Sequence, residues 1–104
     1  MNIDVLNIII DKLVAYLPVI TAAQLRAARA LLGIDQRQLA EQAGLSLPTV
    51  QRMEAAEGVV RGNIDSLTKL ITALAANGIE LLDEGSASQG QGRGVRFKTP
   101  GKRT

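Results

Sequence analysis

Short helical units between capping residues and glycines dominate the middle of this sequence. The run TAAQLRAARALLG opens with Thr21 and Gln24 in capping-box spacing, and DQRQLAEQAG repeats that spacing with Asp35 and Gln38. Each run ends in glycine, the residue that most readily closes a helix in the left-handed conformation. A chain divided in this way is expected to form short helices joined by tight turns.

Two more helices are predicted by the same criteria. Ser46 is the expected cap of the run LPTVQRME, and Pro48 falls in its first turn, where a missing N–H does no harm. Asn63 is the expected cap of the helix that follows, and Asn77-Gly78 is its expected end. The apolar face of this last helix is predicted to contain Ile64, Leu67, Leu70, Ile71 and Leu74.

The first 18 residues have a broad apolar stripe at helical spacing and are predicted to form an amphipathic helix ended by Pro18. Two roles remain open for it, a dimerisation element and a cover for the chain's own core. The segment is too short and too charged to span a membrane, and it lacks the features of a signal peptide. No membrane association is therefore expected.

The C-terminal part changes character. IELL and GVRF are predicted to be two short strands separated by the flexible run DEGSASQGQGR, so that residues 79–98 form a short β-hairpin. Residues 99–104 are predicted to be a disordered tail. The expected organisation is thus an N-terminal helix at 1–18, a helical domain at 19–78, the hairpin and the tail.

Composition argues against most enzyme chemistry. The chain has no cysteine and no histidine, so it lacks disulfides, thiolate or imidazole metal sites, and the commonest catalytic base. The acidic pairs Asp83-Glu84 and Glu54/Glu57 have no nucleophile or metal partner in the sequence and are interpreted as solvated surface groups. We expect no catalytic activity and no cofactor, and the absence of cysteine is compatible with the cytoplasm.

Residues 35–54 form the most informative unit of the sequence. Two predicted helices are joined by the three-residue turn Gly44-Leu45-Ser46, in which Gly44 can adopt the positive φ that a tight turn needs. Ala40 is small where the two helices are expected to cross. The residues expected to anchor both helices to one core are Leu39, Leu45, Val50 and Met53. This is the layout of a helix-turn-helix, whose second helix enters the DNA major groove.

The run LRAARALLGIDQRQLAEQAGLSLPTVQRMEAAEG resembles the Xre/Cro-type helix-turn-helix regulators, which have the lambda-repressor-like fold. The resemblance covers roughly residues 20–78 and rests on Gln36, Leu39, Ala40, Gly44, Ser46, Val50 and Glu54. It implies a mainly α, five-helix lambda-repressor-like domain with the extra N-terminal helix and the short C-terminal β-hairpin. It also implies a homodimer that binds double-stranded DNA.

The resemblance further implies which residues contact DNA. The predicted set is Gln36, Arg37, Leu47, Pro48, Thr49, Gln51, Arg52 and Arg61. Gln36 is expected to bind a phosphate, unless it is simply an exposed first-turn glutamine. Arg52 is expected to read a guanine with two hydrogen bonds. The alternative for Arg52 is a solvated arginine or one paired with Glu41 or Glu57. Arg26 and Arg29 could add phosphate contacts.

Four positions depart from the family or remain ambiguous. Leu47 and Pro48 occupy places where relatives carry polar residues, so they are expected to pack on thymine methyls or to lie in a protein interface. Thr49 could reach a phosphate or base edge, or could bond the start of its own helix. Ala56 stands where relatives usually have glycine, so the second helix is expected to continue towards Gly58.

The function predicted from these features is a cytoplasmic, sequence-specific transcription regulator, of repressor type, that binds a palindromic operator as a homodimer. The alternative is an antitoxin-like or accessory module that binds a protein partner. Net charge is only +2, but residues 85–104 carry five basic residues and no acid. This basic tail is interpreted either as an arm along the DNA backbone or minor groove, or as a solvated chain end.

Overall fold

The computed structural model describes residues 19–101. Within that range the chain forms four α-helices, which are α1 (Ala22–Leu32), α2 (Gln36–Ala43), α3 (Leu47–Glu54) and α4 (Ile64–Ala76). The predicted N-terminal helix at 1–18 lies outside the described residues, as does the end of the predicted tail at 102–104. Among the described helices, none combines the length and apolar character needed to cross a bilayer.

The predicted caps are confirmed at the starts of α1 and α2. The Thr21 hydroxyl accepts from the Gln24 N–H at 3.0 Å, and Gln24 Oε1 accepts from the Thr21 N–H at 2.9 Å. Asp35 and Gln38 make the equivalent pair of bonds at 2.7 and 2.9 Å. These reciprocal bonds satisfy backbone donors that the first turn of a helix leaves unpaired.

Glycine ends both of these helices, as predicted. Gly33 closes α1 with φ of +68°, and Gly44 closes α2 with φ of +69°. These values lie in the left-handed region, where a side chain on the α-carbon is strained and glycine is not. The chain therefore turns sharply after each helix and brings the next one back onto the same core.

One hydrophobic core holds the four helices together. Its fully buried large side chains are Ile20, Leu25, Leu39, Val50, Met53, Leu70 and Leu74. Helix α2 packs against α3 and α4, and α1 packs against α3. Burial of each such side chain stabilises the fold by roughly 1.5–3 kcal/mol. Because Val50 and Met53 of α3 are among them, the core fixes the orientation of that helix. Ile64 was expected on the apolar face of α4 but is exposed.

A short antiparallel contact joins the chain just before α1 to the loop after α3. Thr21 and Val59 form an isolated bridge, in which Val60 N–H donates to the Ile20 carbonyl at 2.8 Å. The Ala22 N–H donates to the Gly58 carbonyl at 2.9 Å. Ile20 and Val60 point into the core, so the loop is fixed by both hydrogen bonds and burial.

The predicted five-helix fold with a C-terminal β-hairpin is wrong for the described chain, which has four helices and no strand over residues 19–101. IELL starts with the Ile79 N–H bonded to the Leu74 carbonyl, so it continues the end of α4. Ile79 and Leu81 then pack on the helical core. The segment is thus occupied by the core and is not paired with GVRF.

Side-chain hydrogen bonds, not a strand ladder, organise the rest of the expected hairpin. The Glu80 carboxylate accepts from the Ser88 hydroxyl at 2.6 Å and from the Gln89 and Gly90 N–H groups at 2.7 and 3.1 Å. The Arg96 guanidinium donates to the carbonyls of Ser86 and Asp83. All of these backbone groups belong to the expected loop between IELL and GVRF, so the bonds fold the loop itself and do not join the two expected strands.

Candidate nucleic-acid interface

Helices α2 and α3 form a compact two-helix unit around the turn at residues 44–46. The Leu45 N–H donates to the Ala40 carbonyl at 2.9 Å, which wraps the turn back onto the end of α2. Ala40 is buried and Leu45 packs against the core, as predicted. The small side chain at Ala40 leaves space for the neighbouring backbone, and the core side chains set the angle at which α3 leaves the turn.

The first turn of α3 is capped by Ser46. Its hydroxyl accepts from the Thr49 N–H at 3.2 Å and lies 2.8 Å from the Thr49 hydroxyl. Thr49 therefore bonds the start of its own helix, which was one of its two predicted roles. Leu47 is half-buried and Pro48 is exposed in the same turn. This turn presents an apolar surface beside a hydroxyl that is already engaged.

Further along α3, buried and exposed residues alternate with helical periodicity. Val50 and Met53 are buried, whereas Gln51 and Arg52 are exposed. Among residues 19–101 the ion pairs are Arg29–Glu54 and Lys69–Asp65, so Arg52 is not paired with Glu41 or Glu57 in the described structure. The outer face of α3 thus carries an amide and a guanidinium on a helix that is rigidly held from behind.

Arg52 and Arg61 come together although they lie on different elements. Both line a shallow, open depression of about 430 Å³, together with Ala55 and Ala56. Helix α3 ends at Glu54, so the expected continuation towards Gly58 is not observed, and Ala56 instead packs against the core. The early end of the helix lets the loop carry Arg61 back beside Arg52. Two arginines thus border one open depression, and arginine is a side chain well suited to anionic ligands.

The remaining predicted site residues lie in the first turn of α2. Gln36 is its first residue and is half-buried, and Arg37 beside it is exposed. Neither side chain makes a hydrogen bond within the described part of the chain. The backbone N–H groups at such a helix start favour negatively charged ligands. The two residues therefore remain candidates for phosphate contact.

The sequence interpretation missed the group that fixes the end of α3. Glu54 is buried, and its carboxylate accepts from Arg29 Nε at 2.7 Å and from Arg29 Nη2 at 3.0 Å. Arg29 Nη1 also donates to the Ile34 carbonyl, and Arg26 Nη1 donates to the Glu54 carbonyl at 2.7 Å. The hydrogen bond that Arg29 donates to Glu54 raises the pKa of Arg29 above its ordinary value.

These contacts change the roles assigned to three residues. Arg26 and Arg29 were considered as extra phosphate contacts, but their guanidinium groups hold the end of α3. Glu54 was interpreted as a solvated carboxylate, but only 5% of it is exposed. One signal was present in the sequence, because Glu54 lies four residues after the buried Val50 and so faces the core side of the helix.

Comparison with known proteins identifies the same region. A family model described as a helix-turn-helix domain matches residues 21–84, which is more than half of the chain. No curated protein and no solved structure gave a significant match. The matched region includes all four described helices and the segment 79–84 that packs on them. The chain therefore belongs to the helix-turn-helix domain family, a family of DNA-binding domains.

Proposed function

We propose that the chain is a sequence-specific transcription regulator of the Xre/Cro type that binds a palindromic operator as a homodimer and represses transcription. Helix α3 reads bases in the major groove, and Arg61 and the first turn of α2 contact phosphates. The observation that carries this proposal is the exposed outer face of α3, with Gln51 and Arg52, on a helix whose inner face is buried.

Specificity in this proposal has two chemical components. Arg52 donates two hydrogen bonds to a guanine, and Leu47 and Pro48 at the start of α3 pack on thymine methyl groups. Because Thr49 is bonded to Ser46, its contribution is to stiffen the helix start as well as to approach the backbone. The resulting operator combines guanine and thymine contacts within each half-site.

Selection from a random-sequence duplex library tests the proposal. The purified full chain is expected to enrich a palindrome whose half-sites lie about one helical turn, roughly 10 base pairs, apart. Light scattering of the complex is expected to give two chains per duplex. Arg52→Ala is expected to relax the sequence preference at one position of each half-site. The matched control is Lys69→Ala, which removes an exposed cation on α4 and is expected to leave the motif unchanged.

Failure to enrich any motif at low salt would contradict the proposal. The second candidate, an antitoxin-like or accessory module that binds a protein partner, is supported by the exposed apolar side chains of Val19 and Val59 on adjoining segments of the domain. It predicts a stable heteromeric complex that Val59→Ser weakens while the wild-type chain selects no DNA motif. The cytoplasmic location stays a prediction in either case.

A further inference from the structure

A basic C-terminal arm, residues 87–101, follows the helical domain. It contains Arg93, Arg96 and Lys98 and no acidic residue, and every one of its residues is exposed. Lys102 and Arg103 continue the basic composition in the sequence. The arm is therefore a cationic segment that contributes nothing to the hydrophobic core.

The helical domain itself offers few cations to a polyanion. Residues 19–84 contain six basic and eight acidic residues, so the domain carries a net negative charge. The side chains of Arg26 and Arg29 are bound at Glu54, and Lys69 is paired with Asp65. The basic residues with no ion pair or side-chain hydrogen bond in this range are Arg37, Arg52 and Arg61. A DNA-binding domain with this balance gains much from additional cations, because phosphate neutralisation supplies most non-specific affinity.

Two sets of hydrogen bonds, one made by Glu80 and one made by Arg96, hold the arm against the segment that follows α4. Glu80 binds Ser88, Gln89 and Gly90, which fixes the point where the arm begins. Arg96 donates to the carbonyls of Ser86 and Asp83 at 2.7 and 3.1 Å, so the chain folds back on itself. Arg93 and Lys98 flank this anchor and make no side-chain hydrogen bond within the described residues.

The base of the arm lies at the same end of α1 as the loop that carries Arg61. Gln24 Nε2 donates to the Leu82 carbonyl at 3.0 Å, two residues after the point where Ala22 bonds Gly58. The first turn of α1 therefore contacts both the segment leading into the arm and the loop after α3. Cations of the arm are thus added to the end of the domain where Arg61 is found.

Two apolar side chains in the arm favour a different partner. Val95 is 88% exposed and Phe97 is 65% exposed, and such residues often lie in protein interfaces. They alternate, however, with Arg96 and Lys98, and no acidic residue accompanies them in the arm. Charge of one sign, next to a domain that belongs to a DNA-binding family, favours a polyanionic nucleic acid over a protein surface.

We propose that the C-terminal arm is a second, sequence-independent DNA-contacting element. Arg93 and Lys98 bind phosphates of duplex DNA that flank the site read by α3, and Arg96 positions the arm by its bonds to Asp83 and Ser86. This inference rests on the proposed DNA-binding function and adds a second point of contact to it.

The proposed role of the arm in DNA binding is tested by fluorescence anisotropy. The affinity for a short random-sequence duplex is measured over a range of KCl concentrations. The double variant Arg93→Gln/Lys98→Gln is expected to reduce the slope of log K against log salt by about 2, because each phosphate contact contributes about 0.9. Single Lys98→Gln is expected to reduce it by about 1. The matched control, Lys69→Gln, removes the same charge from α4 and is expected to leave the slope unchanged.

Three results would overturn the arm proposal. The slope could be unchanged in the double variant, Lys69→Gln could lower it as much as Lys98→Gln, or Val95→Ala/Phe97→Ala could weaken binding while the charge variants do not. Failure of the regulator proposal gives a different pattern. In that case no operator is selected, yet the arm variants still change the salt slope on random DNA. Far-UV circular dichroism of each variant is the check that these exposed substitutions leave the helices intact.

Discussion

Arg29 and Glu54 form a two-point ion pair that joins the last turn of α1 to the last residue of α3, with N–O distances of 2.7 and 3.0 Å. Glu54 is buried, whereas a quarter of the Arg29 side chain is exposed. A second arginine, Arg26, binds the carbonyl of the same glutamate. The end of α3 is thus fixed by charge-assisted hydrogen bonds as well as by the core.

Removal of one partner of this pair is expected to be costly. Arg29→Met leaves the Glu54 carboxylate buried without its cation, so the free energy of unfolding in urea is expected to fall by about 3 kcal/mol. Adding Glu54→Leu is expected to recover much of that loss, because an apolar pair leaves no buried charge unpaired. Lys69→Met, which breaks the exposed pair with Asp65, is the control and is expected to cost about 0.5 kcal/mol or less. Equal losses at Arg29 and Lys69 would contradict the role given to the buried pair.

The turn between α2 and α3 is expected to be sensitive to substitution through its backbone. The β-carbon added by Gly44→Ala lies in open space. The alanine backbone, however, must adopt the left-handed conformation, since φ at this position is +69°. Stability is therefore expected to fall by about 1–2 kcal/mol, measured by thermal or urea unfolding. The control is Gly92→Ala, where the added carbon also meets nothing within 4 Å and no positive φ is present. A Gly44 variant as stable as the Gly92 variant would show that the turn relaxes without strain.

Order in the loop at residues 85–98 is expected to depend on pH. The pKa of Glu80 is held below its ordinary value, chiefly by the hydrogen bond from the Ser88 hydroxyl. The Gln89 and Gly90 N–H groups and the Arg96 charge lower it further. The fold therefore favours the ionised carboxylate, so its contribution is present above the ordinary glutamate pKa of about 4.3 and is lost as pH falls through the lowered value. Proteolysis of the loop by pepsin is expected to accelerate over that acidic range. Carbon-detected NMR titration of Glu80 is expected to show a higher midpoint in Ser88→Ala, and an unchanged midpoint would count against this network.

Arg61 and Arg52 share one depression but are expected to have separable effects on DNA binding. Arg61→Gln is expected to weaken binding to all duplexes alike and to lower the salt slope by about 1, as loss of one phosphate contact does. Arg52→Ala is instead expected to lower the affinity for the selected site by about 1–3 kcal/mol relative to random DNA. Anisotropy titrations on the selected and random duplexes separate the two. Loss of sequence preference in Arg61→Gln would assign base reading to the loop.

Local features of the fold were predictable from the sequence because their causes lie within a few residues. Thr21 and Gln24 are three residues apart, and the positive φ at Gly44 is required by a three-residue turn. The pair Arg29–Glu54 joins residues 25 positions apart, so no local pattern indicates it. IELL has a strand-like composition, which led to the hairpin prediction. The prediction is wrong because Ile79 and Leu81 pack on the helical core and not against a second strand.

The candidate site shows the same division between local and distant causes. The exposure of Gln51 and Arg52 follows from helical periodicity once Val50 and Met53 are assigned to the core. The meeting of Arg52 and Arg61 depends on where α3 ends and how the loop returns, and the loop is fixed by its bridge to Thr21. That path is a property of the packed chain and has no signature in the sequence.

Gln24 ties the start of α1 to the segment after α4 through one amide. Its oxygen closes the cap on Thr21, and its nitrogen holds the Leu82 carbonyl. Fraying at the start of α1 and release of the chain after α4 are therefore coupled, because the same side chain makes both bonds. A truncated protein that stopped at the end of α4 would lose the link, so the smallest cooperative unit of this domain extends past residue 82.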